Sequence, residues 1–489
     1  MSDRLSIDPP VSSVDPSAPP PFRKGDELIV TPDRAAFNGG CVAHVEGMAL
    51  FVSGCVPGDT VRVRVRKKKK RYGEARTLEV LAPGPDRIEA PCRFFEDCGG
   101  CKWQNLAYEK QLYWKREQVA ESFERLAKID DIDIPATIAA AEPFWYRNKM
   151  EFSFGNERWL SDAEIASGEE IDRSFALGLH APGRFDRVLD IDRCMLQSET
   201  SNRLLGATSK FARENAIPAY TTRDHTGMLR NLVVRNSLAT NETMVLLITA
   251  GLEGTLVSEW CDRVRSEVPE VTTIIHGIHT GKAGIATAEE IDVLFGPGTI
   301  TETIAGNSFT ISPFSFFQTN PSQAERLYAE ALSAAGLTGS ERVWDLYCGA
   351  GTISLAAARQ SDWVVGAEIN EGSIEDARRS ATANGVENVE FFSGDLKNLI
   401  GSLGDDLGRS GRPDVVITDP PRAGMHDDVV AALLERRPSR IVYVSCNPTT
   451  QARDCGALSE AYDIGRIQPV DMFPQTYHIE TVARLELRG

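Results

Sequence analysis

Among the residues whose type and position suit chemistry, the first is a cysteine that ends an apolar run. The segment RIVYVSCNPTTQARD, residues 440–454, is rich in β-branched residues up to Cys446 and breaks at Asn447 and Pro448. This pattern predicts a buried parallel strand with Cys446 at its carboxyl end. Such a cysteine is either a packing residue or a nucleophile, because open α/β sheets gather catalytic groups at this edge.

Acidic residues mark the ends of three other predicted strands. Asp345 precedes a glycine pair in DLYCGAGTISLAAA, Glu368 ends the next strand 23 residues later, and Asp395 follows the third. Glycines allow a ligand to approach the backbone closely, and the following helix offers unpaired N–H groups. A carboxylate at the second strand end can bind both hydroxyls of a ribose. We therefore expect an adenosine-type ligand, with Asp395 near the adenine amino group.

A stiff loop adds two polar groups to the same edge of the sheet. In DVVITDPPRAGM, two prolines separate Asp419 from Arg422. Because proline fixes its own backbone angle φ, this loop should hold both side chains in the crevice. The ordinary alternative is a simple proline turn.

Four more cysteines have a spacing that suits a metal centre. Cys92, Cys98 and Cys101 form a C-x5-C-x2-C pattern with a Gly-Gly turn, and Cys194 is a plausible distant fourth ligand. Zinc and iron–sulfur clusters both accept four thiolates, so spacing alone does not decide between them. The remaining cysteines are interpreted as packing residues: Cys41, Cys55, Cys261, Cys348 and Cys455.

The charge distribution indicates one nucleic-acid-binding region in an acidic chain. The formal net charge is -17, yet residues 22–83 hold 12 Lys and Arg against 7 Asp and Glu. Nine of these basic residues lie between Arg62 and Arg76. The run is either a solvated strand edge or a contact for phosphates, and the candidate nucleic-acid contacts are Arg62, Arg64, Arg66, Lys67 and Lys68. The overall acidity is also consistent with adaptation to high salt.

The order of patterns along the 489 residues predicts a tail and three domains. The proline-rich residues 1–21 should be disordered, and the alternating segments of residues 22–83 predict a small β-barrel. Residues 84–305 mix helix and strand patterns, and a helix near residues 107–127 is expected to pack on the last domain. Residues 306–489 alternate strand and helix, which predicts a doubly wound parallel sheet. Its strands are expected at residues 342–347, 363–368, 389–392, 414–418 and 440–445.

The longest apolar stretch is far shorter than the roughly 20 residues that span a bilayer. We expect a cytoplasmic, monomeric protein that does not bind a membrane.

Five motifs, taken together, resemble one enzyme family. SFFQTN, DLYCGAGTISL, DPPRAG, SCNP and DMFPQTYHIETVARL occur in the order found in S-adenosylmethionine-dependent RNA uracil-5-methyltransferases. The segments GDELIV and VPGD, with the basic strand that follows them, resemble the OB-like TRAM domain. The resemblance implies a Rossmann-like class I methyltransferase domain of α/β type, an N-terminal TRAM barrel and a central α+β domain.

The resemblance also implies roles for individual residues. Cys446 would be the nucleophile that adds to carbon 6 of uracil, and Glu480, in YHIETV, would be the general base. His478 is interpreted as supporting structure. The implied cofactor-binding residues are Gln318, Tyr347, Gly349, Gly351, Thr352, Glu368, Asp395 and Asp419.

The cluster and the RNA target are assigned by the same resemblance. Several family members hold a [4Fe-4S] cluster with this cysteine spacing, which favours iron–sulfur over zinc. The segment YRNKMEF resembles a part of the family near the RNA, so Arg147 and Lys149 are further candidate contacts. The combination of barrel and cluster favours 23S ribosomal RNA as the substrate, with transfer RNA as the alternative.

Two other classes of function stay open at this stage. A non-catalytic RNA-binding protein could retain the fold, although Cys446 and Glu480 argue against it. An amino-group methyltransferase also uses Pro-Pro at this strand, but it needs no thiol.

Overall fold

The computed structural model describes residues 21–129, 131–184, 186–401 and 412–489, so nearly all of the predicted disordered tail, residues 1–21, lies outside it. The described residues divide into two units. The first comprises residues up to Glu96 together with Gly100–Gln118 and Phe473–Tyr477. The second comprises Asp97–Gly99, Val119–Met472 and His478–Gly489.

The first unit is built from one mixed sheet. Its elements are β1 Glu27–Val30, β2 Arg34–Ala35, β3 Cys41–Val45, β4 Met48–Ser53, β5 Thr60–Lys68, β6 Tyr72–Ala82 and the first part of α1, Tyr108–Ser122. The strand order is β1-β5-β6-β4-β3-β2. Valines 61, 63 and 65 of β5 are buried while the residues between them face outward, as strand alternation requires. The predicted all-β N-terminal domain is confirmed.

The VPGD turn of this unit is held by a buried carboxylate. Asp59 accepts hydrogen bonds from the backbone nitrogens of Val56 and Gly84, both at 2.8 Å, and from the guanidinium of Arg87 at 2.7 Å. Burial opposes the charged form, but the bonds from Arg87 and the two amides outweigh it and lower the pKa of Asp59. The turn is therefore tied to the chain that leaves β6.

The second unit begins with a mixed sheet. Its elements are a π-helical turn Phe123–Ala127, β7 Lys149–Gly155, α2 Asp162–Ser167, β8 Ala176–Gly178, α3 Glu199–Glu214, β9 Leu229–Asn236, β10 Thr243–Thr249, α4 Gly254–Glu267, β11 Thr273–Ile278 and β12 Glu290–Phe295. The strand order is β12-β11-β10-β9-β7-β8, and only β10 and β11 pair in parallel among these strands. The predicted mixture of helices and strands is present.

The unit continues with a hairpin and a larger sheet. The elements are β13 Ile300–Ile304, β14 Asn307–Ile311, α5 Pro321–Ala335, β15 Arg342–Leu346, α6 Thr352–Ala358, β16 Trp363–Glu368, α7 Glu371–Ala383, β17 Val389–Ser393, α8 Leu396–Leu399, β18 Val415–Thr418, α9 Asp427–Arg436, β19 Arg440–Ser445, α10 Pro448–Leu458, β20 Tyr462–Val470 and β21 Glu480–Leu487. The β13–β14 hairpin spans residue 305, where the sequence predicted a domain boundary.

The larger sheet has the order β17-β16-β15-β18-β19-β21-β20. Five strands run in parallel, and β21 and β20 complete the sheet in antiparallel pairing. The chain moves outward in both directions from β15 and β18, which makes their carboxyl ends the topological switch point. All five predicted strands are confirmed, with ends that differ by at most one residue.

Helices cover this sheet and complete its core. Val119 and Phe123 are buried in the same cluster as Trp344 and Tyr443. Across the described residues, every helix is too short or too polar to cross a bilayer.

Candidate active site

The pairing of β19 with β21 brings a thiol and a carboxyl together. The last residues in register are Ser445 and Thr481, so Cys446 and Glu480 are the next residues of the two chains at this end of the ladder, and the charge of Glu480 acts on the thiol. The Thr481 hydroxyl donates to the Ser445 carbonyl oxygen at 3.1 Å and fixes this end of the ladder. Two residues that are 34 positions apart in the sequence thereby share one strand end.

The loop after β18 supplies the other charged neighbours of Cys446. The Asp419 amide donates to the Leu346 carbonyl at 3.2 Å, which holds Asp419 at the switch point. Burial, followed by the charges of Glu480 and Asp419, raises the pKa of the Cys446 thiol to about 11, and Arg422 opposes this rise. The isolated thiol is therefore protonated near neutral pH.

Both carboxyls near the thiol favour their neutral forms. Glu480 is 6% exposed, and burial together with the charge of Asp419 raises its pKa well above the ordinary range. Burial and the nearby Asp345 likewise raise the pKa of Asp419. Like charges in a dry site cannot all ionise, so the group of carboxyls holds at least one proton at neutral pH.

The end of β15 carries a buried carboxyl that is only half satisfied. Ser354 of α6 donates to Asp345 Oδ2, so this serine, which stands where a dinucleotide fingerprint has its third glycine, is a partner of the carboxyl. Asp345 Oδ1 and the hydroxyl of Thr418 are buried and have no hydrogen-bond partner among the residues that the structure describes. Burial raises the pKa of Asp345 to about 7. Two unsatisfied polar atoms at a switch point suit a polar ligand.

The two glycines between β15 and α6 have the backbone that the sequence predicted. Gly349 and Gly351 both have positive φ, and a Cβ added at Gly349 would meet no atom within 4 Å. The space before Gly349 is therefore open to a ligand. Tyr347 also has a positive φ of 63°, a strained value for a residue with a side chain, and burial raises its pKa to about 12.

Glu368 and Asp395 lie at neighbouring strand ends but have different local roles. Glu368 accepts from the backbone nitrogen of Asn370 at 2.9 Å and from that of Gly349 at 3.4 Å. Asp395 caps α8 and forms an ion pair with Lys397 at 3.1 Å. The hydrogen bond from Lys397 is the main reason why the pKa of Asp395 is lowered. Both carboxylates remain partly exposed.

Tyr328 is a residue of this site that the sequence did not reveal. It lies on α5, is 2% exposed, and its hydroxyl contacts Thr352 Oγ1 at 3.2 Å and the side chain of Gln318. Thr352 and Gln318 are thus linked through one phenol. In the sequence, Tyr328 has the spacing of an ordinary core residue of an amphipathic helix, so no signal distinguished it.

Residues in or next to the mixed sheet β12-β11-β10-β9-β7-β8 hydrogen-bond the segment that carries Gln318. The side-chain amide of Asn148 donates to the Gln318 carbonyl at 3.1 Å, and its backbone nitrogen donates to Thr319 at 2.9 Å. Arg235, 3% exposed on β9, donates to the carbonyl of Ser315. Sequence reasoning missed both residues, because their partners lie more than 70 positions away.

The predicted RNA contacts differ in how much of their charge is available. Three of the basic residues on β5 form ion pairs across the sheet: Arg62 with Glu79, Arg64 with Glu27 at 2.6 Å, and Lys67 with Glu74 at 3.2 Å. Arg66 and Lys68 lie on the same strand, and the Arg66 side chain is exposed.

The two candidates in YRNKMEF are both half-buried. Arg147 donates to the carbonyl of Lys149 at 3.0 Å. Lys149 pairs with Glu151 at 2.6 Å.

The four cysteines of the predicted cluster are distributed over both units. Cys92 and Cys101 belong to the first unit, and Cys98 and Cys194 belong to the second. The backbone nitrogen of Cys92 donates to the side-chain oxygen of Gln104 at 3.2 Å. The backbone nitrogen of Cys194 donates to the side-chain oxygen of Asn202 at 2.8 Å. Within the described ranges, no three His, Cys, Asp or Glu side chains are arranged to hold a metal ion.

A doubly wound sheet of this strand order, with glycines and acidic residues at its switch point, defines a class I S-adenosylmethionine-dependent methyltransferase fold. The family model described as tRNA (Uracil-5-)-methyltransferase matches residues 301–488, and the TRAM domain model matches residues 21–78. Together with relatives that extend over nearly the whole chain, this match shows that the chain belongs to the family of this model.

Two relatives extend over nearly the whole chain. A protein named as an RNA methyltransferase in Chlorobaculum tepidum is 42% identical over 470 residues, which cover 95% of this chain and 97% of the relative. A second protein named as an RNA methyltransferase, from Bacteroides thetaiotaomicron, is 41% identical over 456 residues, which cover 93% of this chain and 100% of the relative. The chain is therefore an RNA methyltransferase.

One solved structure matches along its full length. It is the Pyrococcus abyssi tRNA (uracil-54, C5)-methyltransferase in complex with S-adenosyl-L-homocysteine, with a TM-score of 0.71 and 27% identity. The match covers 94% of this chain and 100% of that chain.

Proposed function

We propose that this methyltransferase modifies carbon 5 of a uridine in RNA through a covalent bond between Cys446 and the base. The observation that carries the proposal is the register of β19 and β21, which sets Cys446 and Glu480 at the same end of the ladder. A nucleophile and a base at one strand end, beside a switch point, meet the requirements of this chemistry.

The reaction needs a nucleophile because carbon 5 of uracil is poorly reactive. The thiolate of Cys446 adds to carbon 6, and the electrons of the carbon 5–carbon 6 double bond form an enolate. S-adenosylmethionine supplies the methyl group, which carbon 5 then takes. Glu480 removes the proton from carbon 5, the electron pair reforms the double bond, and the bond to Cys446 breaks. The enzyme is thereby freed from the methylated base.

The environment of Glu480 suits the role of base. Burial raises its pKa, so its carboxylate is a stronger proton acceptor than an exposed glutamate would be. The positive charge of Arg422 opposes this rise. We therefore assign the proton transfer to Glu480 and the positioning of the loop to its neighbours.

The cofactor would occupy the edge between β15, β16 and β18. The open space before Gly349 and the unsatisfied atoms of Asp345 and Thr418 support this position. Glu368 would bind the ribose hydroxyls, with Asp395 nearer to the adenine. The other residues proposed to line the cofactor site are Gln318, Tyr347, Gly351, Thr352 and Asp419.

The target is proposed to be 23S ribosomal RNA, in the cytoplasm. The support is the occurrence of a TRAM domain together with the cysteine pattern, as the family resemblance suggests. Transfer RNA is a second candidate, favoured by the substrate of the Pyrococcus abyssi enzyme. Arg66 and Lys68 of β5 are proposed to contact phosphates, with Arg62, Arg64, Lys67, Arg147 and Lys149 as further candidates.

A [4Fe-4S] cluster on Cys92, Cys98, Cys101 and Cys194 is part of the proposal. Its support is the donor set, four thiols in the C-x5-C-x2-C pattern with a distant fourth, since thiolates are the ligands of such clusters. No reaction step described above involves it. Iron and acid-labile sulfide content, compared between the native chain and Cys98→Ser, tests the assignment, and an iron-free native protein isolated without oxygen would contradict it.

Nucleoside analysis tests the reaction itself. RNA lacking the modification is incubated with enzyme and isotopically labelled S-adenosylmethionine, digested, and analysed by mass. We expect labelled 5-methyluridine with the native chain and none with Cys446→Ala. Cys348→Ala, which removes a buried thiol assigned to packing, is the matched control and should retain activity. Methylation of an amino group, or full activity of Cys446→Ala, would overturn the proposal.

A further inference from the structure

The thiol of Cys446 lies in surroundings that disfavour its reactive form. Glu480 comes from β21 and Asp419 from the loop after β18, and negative charge on either carboxyl raises the pKa of the thiol. Arg422, from the same loop as Asp419, is the positively charged group that faces it. A thiolate formed here needs a compensating positive charge, because the charged form is already penalised by burial.

The guanidinium of Arg422 is placed to provide this charge. It acts on both members of the strand end, since its positive charge lowers the pKa of Cys446 and that of Glu480. One of its nitrogens, Nη2, contacts His478 Nδ1 at 3.3 Å. Because arginine only donates, this contact requires a lone pair on Nδ1, so His478 is in the tautomer that carries its proton on Nε2. His478 thus directs the guanidinium.

Helix α10 fixes the backbone of Arg422 to the segment that bears the cysteine. The carbonyl oxygen of Arg422 accepts from Asn447 Nδ2 at 2.9 Å and from Thr450 Oγ1 at 3.3 Å. Asn447 is the residue after Cys446 and caps α10. The position of the guanidinium relative to the sulfur is therefore set by adjacent residues of one helix start.

The rest of the loop is held by the next turn of the same helix. The amide of Met425 donates to Asp454 Oδ2 at 2.9 Å, and Arg453 donates to the carbonyl of Ala423 at 3.1 Å. A Cβ at Gly424 would meet Asp454 Oδ2 at 2.7 Å, so the loop lies directly on the helix. The loop and the cysteine thus form one rigid assembly.

We propose that Arg422 is a catalytic residue that stabilises the thiolate of Cys446, with His478 and Asn447 as its positioning residues. The inference rests on the proposed role of Cys446 as nucleophile. The thiol proton passes to water at the partly exposed sulfur, and Arg422 keeps its own proton throughout. Arg422 also faces the solvent, so a role limited to binding an RNA phosphate is the outcome that the test must distinguish.

The test measures the reactivity of Cys446 in the full chain without RNA or cofactor. Iodoacetamide alkylation is followed from about pH 6 to about pH 10 by the mass of the peptide that contains Cys446. The variants are Arg422→Met, Arg422→Lys and His478→Asn. Arg263→Met, which removes the same charge from α4, is the matched control. Protection of the fully buried Cys455 reports in each case that the chain is folded.

We expect Arg422→Met to raise the inflection of the alkylation profile by about one pH unit, which lowers the rate near neutral pH about tenfold. The alkylation rate of Arg422→Lys should lie between the rates of the native chain and Arg422→Met, because lysine keeps the charge but lacks the planar guanidinium. The native inflection lies at about pH 11, so the whole measured range is on the rising part of the profile, and Arg422→Met should react about tenfold more slowly at each pH. The acid limb of the methyl-transfer profile should move in the same direction.

An alkylation profile of Arg422→Met that coincides with the native profile would overturn the inference, even if methyl transfer is lost. That result would assign Arg422 to RNA binding. A failure of the proposed function would be seen in a different experiment. In that case Cys446→Ala would still methylate RNA, whatever the alkylation profile of the native Cys446 thiol.

Discussion

At the scale of single residues, the site combines a thiol that resists ionisation with carboxyls that resist it as well. Burial raises the pKa values of Cys446, Glu480 and Asp419, and nearby carboxyls add to each rise. Clusters of groups with shifted pKa values are typical of sites that transfer protons. The order of the proton transfers is then set by which group meets the substrate first.

Replacing Glu480 by Gln should separate the two halves of the reaction. The amide keeps the shape of the side chain but cannot take the proton from carbon 5, so the enzyme should remain bound to methylated RNA. We expect turnover to fall by about 100-fold or more. The measurement is an RNA–protein band that survives denaturation.

Two results would contradict this prediction: native turnover by Glu480→Gln, or loss of activity without any covalent band. Glu486→Gln on the same strand β21 is the control, since that partly exposed carboxylate pairs with Arg440 and Arg484 outside the site.

At the scale of elements, the mixed sheet β12-β11-β10-β9-β7-β8 holds the loop that carries Gln318. Replacing Asn148 by Ala removes the hydrogen bond to the Gln318 carbonyl and leaves that carbonyl unsatisfied. We expect a loss of about 1 kcal/mol, which weakens binding of S-adenosylhomocysteine about fivefold. Calorimetric titration measures this change.

The matched control for that prediction is Asn231→Ala on β9, which loses a bond of similar kind to the Phe152 carbonyl at 3.4 Å. Equal weakening by both variants would mean that the effect arises from the sheet in general. Unchanged affinity of Asn148→Ala would remove the link between the loop and the cofactor.

The VPGD turn offers a test of the first unit. Replacing Asp59 by Asn leaves Arg87 without its partner and should destabilise the turn by about 3 kcal/mol. Because folding lowers the pKa of Asp59, its contribution is complete above the unfolded pKa of about 3.9 and is lost as pH falls through the folded value. Hydrogen exchange of the amides in residues 56–88 measures both effects.

Asp33→Asn is the control for this experiment, since Asp33 is 63% exposed in its pair with Arg34. It should change hydrogen exchange little at any pH. If Asp59→Asn and the native chain exchange alike at neutral pH, the carboxylate does not hold the turn.

Much of the candidate site could be predicted at these two scales, for identifiable reasons. Strand ends could be predicted because β-branched runs stop at glycine, proline or asparagine, as at Asn447 after Cys446. Ser354 and Tyr328 could not be interpreted, since their partners depend on how α5 and α6 lie on the sheet. The proximity of Cys446 to Glu480 likewise needed the antiparallel register of β21, which local pattern does not specify.

At the scale of the whole molecule, an acidic chain must bind a polyanion. Arg62, Arg64 and Lys67 are already paired with glutamates, so their contribution to phosphate binding is reduced. We predict that Arg66→Gln with Lys68→Gln reduces the salt dependence of RNA affinity by a slope of about two. The double variant Arg62→Gln with Arg64→Gln should reduce it less.

Filter binding of the RNA substrate over a range of salt concentrations measures those slopes. Equal effects of the two double variants would contradict the distinction between paired and unpaired charge. The domain boundaries predicted from the sequence stay predictions, because the compact units divide the chain elsewhere, with Phe473–Tyr477 in the first unit and the residues on either side in the second.

The most direct test of the central claim is a covalent adduct with RNA that contains 5-fluorouridine. Fluorine at carbon 5 cannot be removed as a proton, so the bond from the enzyme to carbon 6 should persist after methyl transfer. The account predicts a stable adduct whose peptide mass places the nucleotide on Cys446, and no adduct with Cys446→Ala. An adduct at another residue, or methylation of uridine without any trapped complex, would contradict it.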